Sequence, residues 1–198
     1  TYDADGRMTS RTEAFGEPIE RTTSWQYDPT FPTLMTRIER PSTTGDPLDL
    51  RIQDLIRDAS GNLTDEIHEG AENGSAFSYT TVRTYTAEGM VETVDPPDHG
   101  TADLVTFVYD PTRGGLVIDQ RIDPIVGITD FDHDPFHRQT SVIDPNGVET
   151  VTEYDPADRV TFIRRKGAVK ADDLVTEHRY NTFGDLFQTI LPEGNVIE

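Results

Sequence analysis

A Tyr-Asp dipeptide, or a close imitation of one, returns along this 198-residue chain at a nearly even pitch. The anchors are Tyr2-Asp3, Tyr27-Asp28, Arg57-Asp58, Tyr85-Thr86, Tyr109-Asp110, Phe131-Asp132, Tyr154-Asp155 and Tyr180-Asn181, separated by 25, 30, 28, 24, 22, 23 and 26 residues. A period of roughly 20 to 50 residues marks a repeat architecture, in which each unit contacts mainly its neighbours. Residues 1–198 therefore read as one array of about eight units.

Each unit carries a turn and two strands. The fullest turn is Tyr2-Asp3-Ala4-Asp5-Gly6-Arg7-Met8, and its parts return around Asp58 and Gly61, Tyr85 and Gly89, and Tyr180 and Gly184. An Asp or Asn at the first turn position accepts bonds from the backbone ahead of it, and Gly three residues later takes the positive φ that closes a hairpin through a bulge. Gly6, Gly61, Gly89 and Gly184 are expected at positive φ. The flanks alternate with period two, as in Phe77, Tyr79, Thr81, Arg83 and Tyr85, or Val148, Thr150, Thr152 and Tyr154, which is strand chemistry.

A second set of turns links the units: Arg40 to Gly45, Asp95 to Gly100, Asp144 to Gly147 and Leu191 to Gly194. Pro29, Pro47, Pro96, Pro111, Pro124, Pro135, Pro145 and Pro156 each follow an Asp. Proline lacks the amide donor that a central strand supplies, so these positions mark strand ends and bends. The reading is all-β, with antiparallel hairpins and no long helix. Two strands per unit make roughly 16 strands, about 75 Å of sheet at ~4.8 Å spacing.

Tyr-Asp-x-x-Gly-Arg-Leu units separated by strands and Pro/Gly turns resemble the YD repeats of the RHS family. The likeness covers the whole chain, is strongest at residues 2–8, 154–160 and 180–186, and is degenerate around 27–56, where Phe31-Pro32 follows without a glycine. The family includes C components of ABC toxins, polymorphic toxins and teneurins. The resemblance implies a single sheet that curves or spirals as a segment of a hollow β-shell, enclosing a toxic segment or serving as an extracellular scaffold. Open sheets rarely exceed ~10 strands without curling, splitting or flattening, which suits that expectation. So does an apolar content of 34%. The chain starts on a turn and ends just after one, with sheet edges left to pair. It is expected to be part of a longer array whose remainder is its first partner.

Charge narrows the partners. Seventeen Lys and Arg against 37 Asp and Glu give −20, which disfavours nucleic acid and anionic membrane surfaces. The acids serve either solubility or an acidic lumen around a basic cargo. The absence of cysteine removes disulfides and thiolate chemistry. No run of 18 apolar residues is present, so this segment is not expected to insert in a membrane. The sequons Asn62-Leu63-Thr64 and Asn73-Gly74-Ser75 match the glycosylation pattern by composition alone.

The densest set of candidate ligands is Asp130-Phe131-Asp132-His133-Asp134-Pro135-Phe136-His137. Asp130, Asp132 and Asp134 would share one face of an extended strand and offer oxygens to a hard cation. As an EF-hand loop the segment fails twice, with Pro135 where Gly is needed and Ser141 where Glu belongs. It reads instead as a degenerate turn with solvent-facing aspartates, and no metal or cofactor is assigned. His133 and His137 have helical spacing in a non-helical context, and His68, His99 and His178 fall in separate units. Asp123-Pro124-Ile125-Val126-Gly127-Ile128 resembles the self-cleaving core motif of some RHS proteins, but with one residue inserted and the Asn/Tyr-rich run missing. The autoproteolytic aspartate is not carried onto Asp123.

No nucleophile elbow, phosphate loop or dinucleotide fingerprint occurs. The recurring tyrosines are read as structural, stacking between adjacent units, with a sugar-binding ladder as the alternative. The expectation is a non-enzymatic wall of an exported protein, extracellular or at the cell surface, enclosing or presenting another polypeptide. The alternative is an adhesion or filament module for carbohydrate or a partner protein.

Overall fold

The computed structural model describes residues 1–13, 16, 20–41, 50–72, 74–97 and 100–198. Residues 42–45 of the turn expected at 40–45, residues 98–99 of the turn at 95–100, Pro47, Asn73 and His99 lie outside the described residues. Sixteen strands follow one another in chain order through one antiparallel sheet. They fall in two compact units, Thr1–Leu104 and Val105–Glu198.

The first unit holds β1 (Ser10–Glu13), β2 (Arg21–Tyr27), β3 (Met35–Arg40), β4 (Arg51–Arg57), β5 (Leu63–Glu72), β6 (Ser75–Tyr85) and β7 (Val91–Asp95). The second holds β8 (Val105–Tyr109), β9 (Ile118–Asp123), β10 (Gly127–His133), β11 (Gln139–Ile143), β12 (Glu149–Tyr154), β13 (Val160–Arg165), β14 (Leu174–Tyr180), β15 (Leu186–Ile190) and β16 (Val196–Ile197). Among the described residues the helical content is three short 3-10 segments, at Gly100–Asp103, Pro111–Arg113 and Lys170–Asp172. None is long and apolar enough to cross a membrane.

Register follows from the alternation in the sequence. In the first unit Trp25 faces Ile38, Ile38 faces Gln53, Gln53 faces His68, and His68 faces Tyr79. These side chains share one face of the sheet because directly opposed residues project to the same side. Gly70 opposes Phe77, whose ring fills the space a side chain would need. The same face carries the stacked rings of His68 and Tyr79, with centroids 5.0 Å apart, and Phe77 5.9 Å from Tyr79.

Little of the chain is hidden from water. Among the described residues the buried apolar side chain is Val117, and Asp103, Asp123 and Ser141 are buried as well; no large side chain is fully enclosed. The accessible surface of 12856 Å² exceeds the about 9,400 Å² expected of a compact monomer of this mass. A sheet wetted on both faces has no thick core to supply its cohesion. Backbone ladders, half-buried neighbours and the turns must do so instead.

Among the described residues seven register shifts punctuate the ladder, at Gln26/Tyr27, Ile56/Arg57, Thr84/Tyr85, Val108/Tyr109, Asp132/His133, Glu153/Tyr154 and Arg179/Tyr180. Each is the bulge of a repeat turn, where one extra residue bends the strand and increases its local twist. The shift at Asp132/His133 corrects the sequence reading of the sixth unit. Phe131 and Asp132 lie inside β10, opposite Val142 and Ser141, and the turn begins two residues later at His133-Asp134. Phe131 imitates the aromatic anchor, but Pro135 must follow the turn's first residue, and that residue is Asp134.

Candidate functional site

Among the described residues the repeat turns form a site that recurs. In the first of them the Asp3 amide donates to the Arg7 carbonyl at 2.9 Å and the Gly6 amide donates back to Asp3 at 3.1 Å. The same pair of bonds closes Asp58 to Asn62, Thr86 to Met90, Asp134 to Arg138, Asp155 to Arg159 and Asn181 to Asp185. The linking turns Asp144 to Val148 and Leu191 to Asn195 close identically, so the two turn classes read from sequence share one geometry. Two turns are longer: Asp28 closes onto Leu34, and Asp110 closes onto Val117 around a 3-10 segment.

The acidic residue caps its own turn. Asp155 Oδ1 accepts the amides of Ala157 at 2.8 Å and Arg159 at 3.1 Å, while Oδ2 accepts Arg159 Nε at 2.7 Å. Asp134 does the same with Phe136 and Arg138, and Asp3 with Asp5 and Arg7. Gly6, Gly61, Gly89 and Gly184 take φ of +78°, +88°, +82° and +93° at the fourth turn position.

Two turns place a non-glycine there, His137 at φ +66° and Asp158 at +63°. A left-handed conformation costs an L-residue about 1–2 kcal/mol. His137→Gly is therefore expected to stabilise the chain by about 0.5 kcal/mol once glycine's entropic cost is subtracted. A rise in the urea midpoint checks this, and an unchanged or lower midpoint contradicts it.

Four of the anchor tyrosines tie their repeat to the one before. The hydroxyl of Tyr27 donates to the Met8 carbonyl, Tyr85 to Leu63, Tyr154 to Gln139 and Tyr180 to Val160, each at 2.8 Å. Arg57 stands in for tyrosine in the third unit and reaches the Met35 carbonyl through Nη1 at 2.7 Å. The acceptor is always the residue immediately after the preceding turn.

Arginine completes the link in the opposite direction. Arg7 lies 4.9 Å from the Tyr27 ring centroid, and Arg138 and Arg159 lie 4.6 Å from those of Tyr154 and Tyr180. Arg7 also donates to the Pro32 carbonyl, Arg138 to Asp155, and Arg113 to His133 and Asp134. Guanidinium over an aromatic face is a favourable cation–π arrangement. The expected tyrosine-on-tyrosine stack is replaced by alternating arginine and tyrosine; the ring pairs among the described residues are His68–Tyr79 and Phe77–Tyr79.

The arginines were missed in the sequence reading, although their signal was present. Asp3 and Arg7, Asp134 and Arg138, and Asp155 and Arg159 share the spacing Asp-x-x-x-Arg, which also locates the sixth turn correctly.

Several turn carboxylates titrate low. The Arg159 bond, opposed by desolvation, holds Asp155 below its ordinary value; bonds from Asn62 do so for Asp58, and from Thr112 for Asp110. A folded pKa below the unfolded one contributes stability that is present above the unfolded value and is lost as pH falls through the folded one. The urea midpoint is thus expected to fall as pH drops from about 4. Asp155→Asn should flatten that dependence while keeping the turn, because Asn181 Oδ1 makes the same two amide contacts. An unaltered acid slope would contradict the assignment.

The three aspartates considered for a cation do not converge. Asp130 Oδ1 accepts Gln120 Nε2 at 2.6 Å, Asp132 is exposed in β10, and both oxygens of Asp134 serve its own turn. No group of three acidic or histidine side chains among the described residues is arranged to hold a metal. Asp123 is buried, with Oδ1 on the amides of Ile125 and Val126 and Oδ2 on Arg121, and so acts as a turn cap. His133 ends β10 beside the sixth turn, where desolvation and the nearby Arg113 lower its pKa.

A single antiparallel sheet whose successive hairpins are pinned by aspartate caps, tyrosine hydroxyls and arginine lids defines a repeat-built β-scaffold. Residues 133–165, beginning at the corrected sixth anchor, match the family model of the RHS repeat. That stretch carries an RHS/YD repeat. Solved structures share the fold of the chain. TcdB2-TccC3-Cdc42 matches with a TM-score of 0.59 at 12% identity over 96% of this chain, and TcdB2-TccC3 without its hypervariable C-terminal region with 0.58 at 12% over 96%. The chain spans 12% and 11% of those chains. No curated protein matches its sequence.

Proposed function

We propose that this chain is a wall section of a longer, exported RHS-repeat protein that encloses or presents another polypeptide. The observation that carries the reading is a sheet sixteen strands wide with almost no core, cross-tied at its turns by a repeated Tyr-Arg-Asp arrangement. Such a structure gains little from burying its own side chains and is suited to partitioning space. The shared fold with TcdB2-TccC3, one structure of which includes Cdc42 and another of which lacks a hypervariable C-terminal region, supports a scaffold combined with a further polypeptide.

The role is exclusion, not bond-making. In the first unit acidic side chains occupy both faces, Glu66 lying opposite in sense to Asp54, Asp65 and Glu69, whereas in the second Asp130, Asp132, Glu149, Glu153 and Glu177 share one face and the buried Asp123 lies on the other. The proposal rests on steric containment and not on an acidic lining.

Limited proteolysis of the full parent polypeptide tests it. The non-repeat segments should resist cleavage until the repeat array is unfolded, and should be cut rapidly once expressed alone. Equal cleavage rates in the two settings would reject containment.

A further inference from the structure

In the turn at 58–62 asparagine stands where other turns place arginine. In the repeats of Arg7, Arg138 and Arg159 the fifth turn residue covers the next repeat's tyrosine. Between turns 58–62 and 86–90, both in the first unit, that residue is Asn62. Its Nδ2 reaches Asp58 Oδ2 at 2.9 Å, the carboxylate oxygen that an arginine Nε contacts in the other turns, and the side chain ends there. Beyond it lies an open groove lined by Asp58, Asn62, Tyr85, Thr86 and Glu88.

The groove keeps the parts that hold a guanidinium elsewhere. Tyr85 is fixed by its bond to Leu63, so its ring presents the same face as Tyr154 and Tyr180. The Thr86 carbonyl accepts the Gly89 amide at 3.0 Å. The corresponding Asp155 carbonyl accepts both the Asp158 amide at 3.1 Å and Arg138 Nη1 at 3.3 Å, which shows that the second lone pair of this oxygen is usable. Arg83 also lines the groove, with its Nη2 paired to Glu66 at 3.1 Å and its Nη1 buried without a hydrogen-bond partner, and the groove's two carboxylates are those of Asp58 and Glu88. The preceding turn has no arginine either, yet there the Phe31 ring packs on Gly61 and fills the space.

We propose that this groove binds the guanidinium group of an arginine side chain from a partner polypeptide, in the place that Arg7, Arg138 and Arg159 fill within the chain. The planar group can stack on Tyr85 while donating edge-on to Asp58 and the Thr86 carbonyl, a combination unavailable to an ammonium. A formal charge of −20 favours the approach of a basic partner. The inference stands apart from containment, because it concerns one groove at the turns and not what the sheet encloses.

Titration of the 198-residue chain with N-acetyl-arginine amide, followed by amide chemical shifts, tests it. Saturable shifts are expected at Asn62, Tyr85, Thr86 and Gly89, with N-acetyl-lysine amide binding about tenfold more weakly. Asn62→Arg should abolish the shifts by supplying the missing side chain, and Glu88→Gln should weaken binding severalfold independently of how Asn62→Arg folds. The proposal is overturned by the absence of saturable shifts up to ~100 mM probe, by equal affinity for the two probes, or by binding that neither variant changes.

Discussion

Gly70→Val is expected to cost about 3 kcal/mol of unfolding free energy, the upper end of what overpacking imposes. Gly70 sits in the middle of β5, opposite Phe77, and a Cβ built on it would lie 2.6 Å from the Leu50 carbonyl oxygen and 2.8 Å from Phe77 Cζ. The first contact is with backbone, which cannot swing aside without breaking the β4–β5 ladder. The second is with a ring that covers the glycine and would be displaced toward Tyr79. Urea unfolding followed by far-UV circular dichroism measures the loss; a midpoint within error of the parent chain would show that the strand relaxes freely there.

Gly61→Val is expected to cost about 2 kcal/mol, from a left-handed backbone that a β-branched residue tolerates poorly. Gly61 has φ +88°, and a Cβ there would meet the Phe31 ring at 3.4 Å. The Phe31 contact extends the loss into the neighbouring repeat. Gly184→Val carries the same backbone strain, but its nearest neighbour is Arg159 Nη1 at 3.3 Å, the end of a long side chain that can move, so its loss should be the smaller of the two. Asp132→Ala, at an exposed strand position outside any turn, should change stability by no more than about 0.5 kcal/mol. Ranking the three by urea midpoint tests the turn assignment directly, and a larger loss for Asp132→Ala than for either glycine would contradict it.

The consequence of a coreless sheet is that stability is distributed along the array. Repeats meet through the strand ladder, in several cases a tyrosine hydroxyl or its Arg57 substitute, and in several an arginine lid. Loss of one lid is a local injury to two neighbouring turns, as expected where nearest-neighbour interfaces carry the energy. Asn62 marks such a weak rung, and its neighbour at Phe31 and Gly61 shows a different way of closing the same space.

The all-β class, the hairpin repeat and the positive-φ glycines were legible in the amino-acid sequence because they depend on local chemistry. Tyr-Asp-x-x-Gly defines a turn from within five residues, alternation of period two defines a strand, and Asp-Pro marks where a strand must end. Phe131-Asp132 misled for the same reason: locally it matches the aromatic-acid anchor, and only pairing with β11 shows that the bulge and the capping carboxylate fall at His133-Asp134. What the tertiary structure alone decided is the partnership between repeats. Tyr154 finds the Gln139 carbonyl, Arg138 finds the Tyr154 ring, and Asn62 fails to reach Tyr85, because register brings turns some twenty residues apart into contact along the sheet. Local sequence sets the shape of each turn, but which side chain covers which ring depends on distances across strands that no single repeat contains.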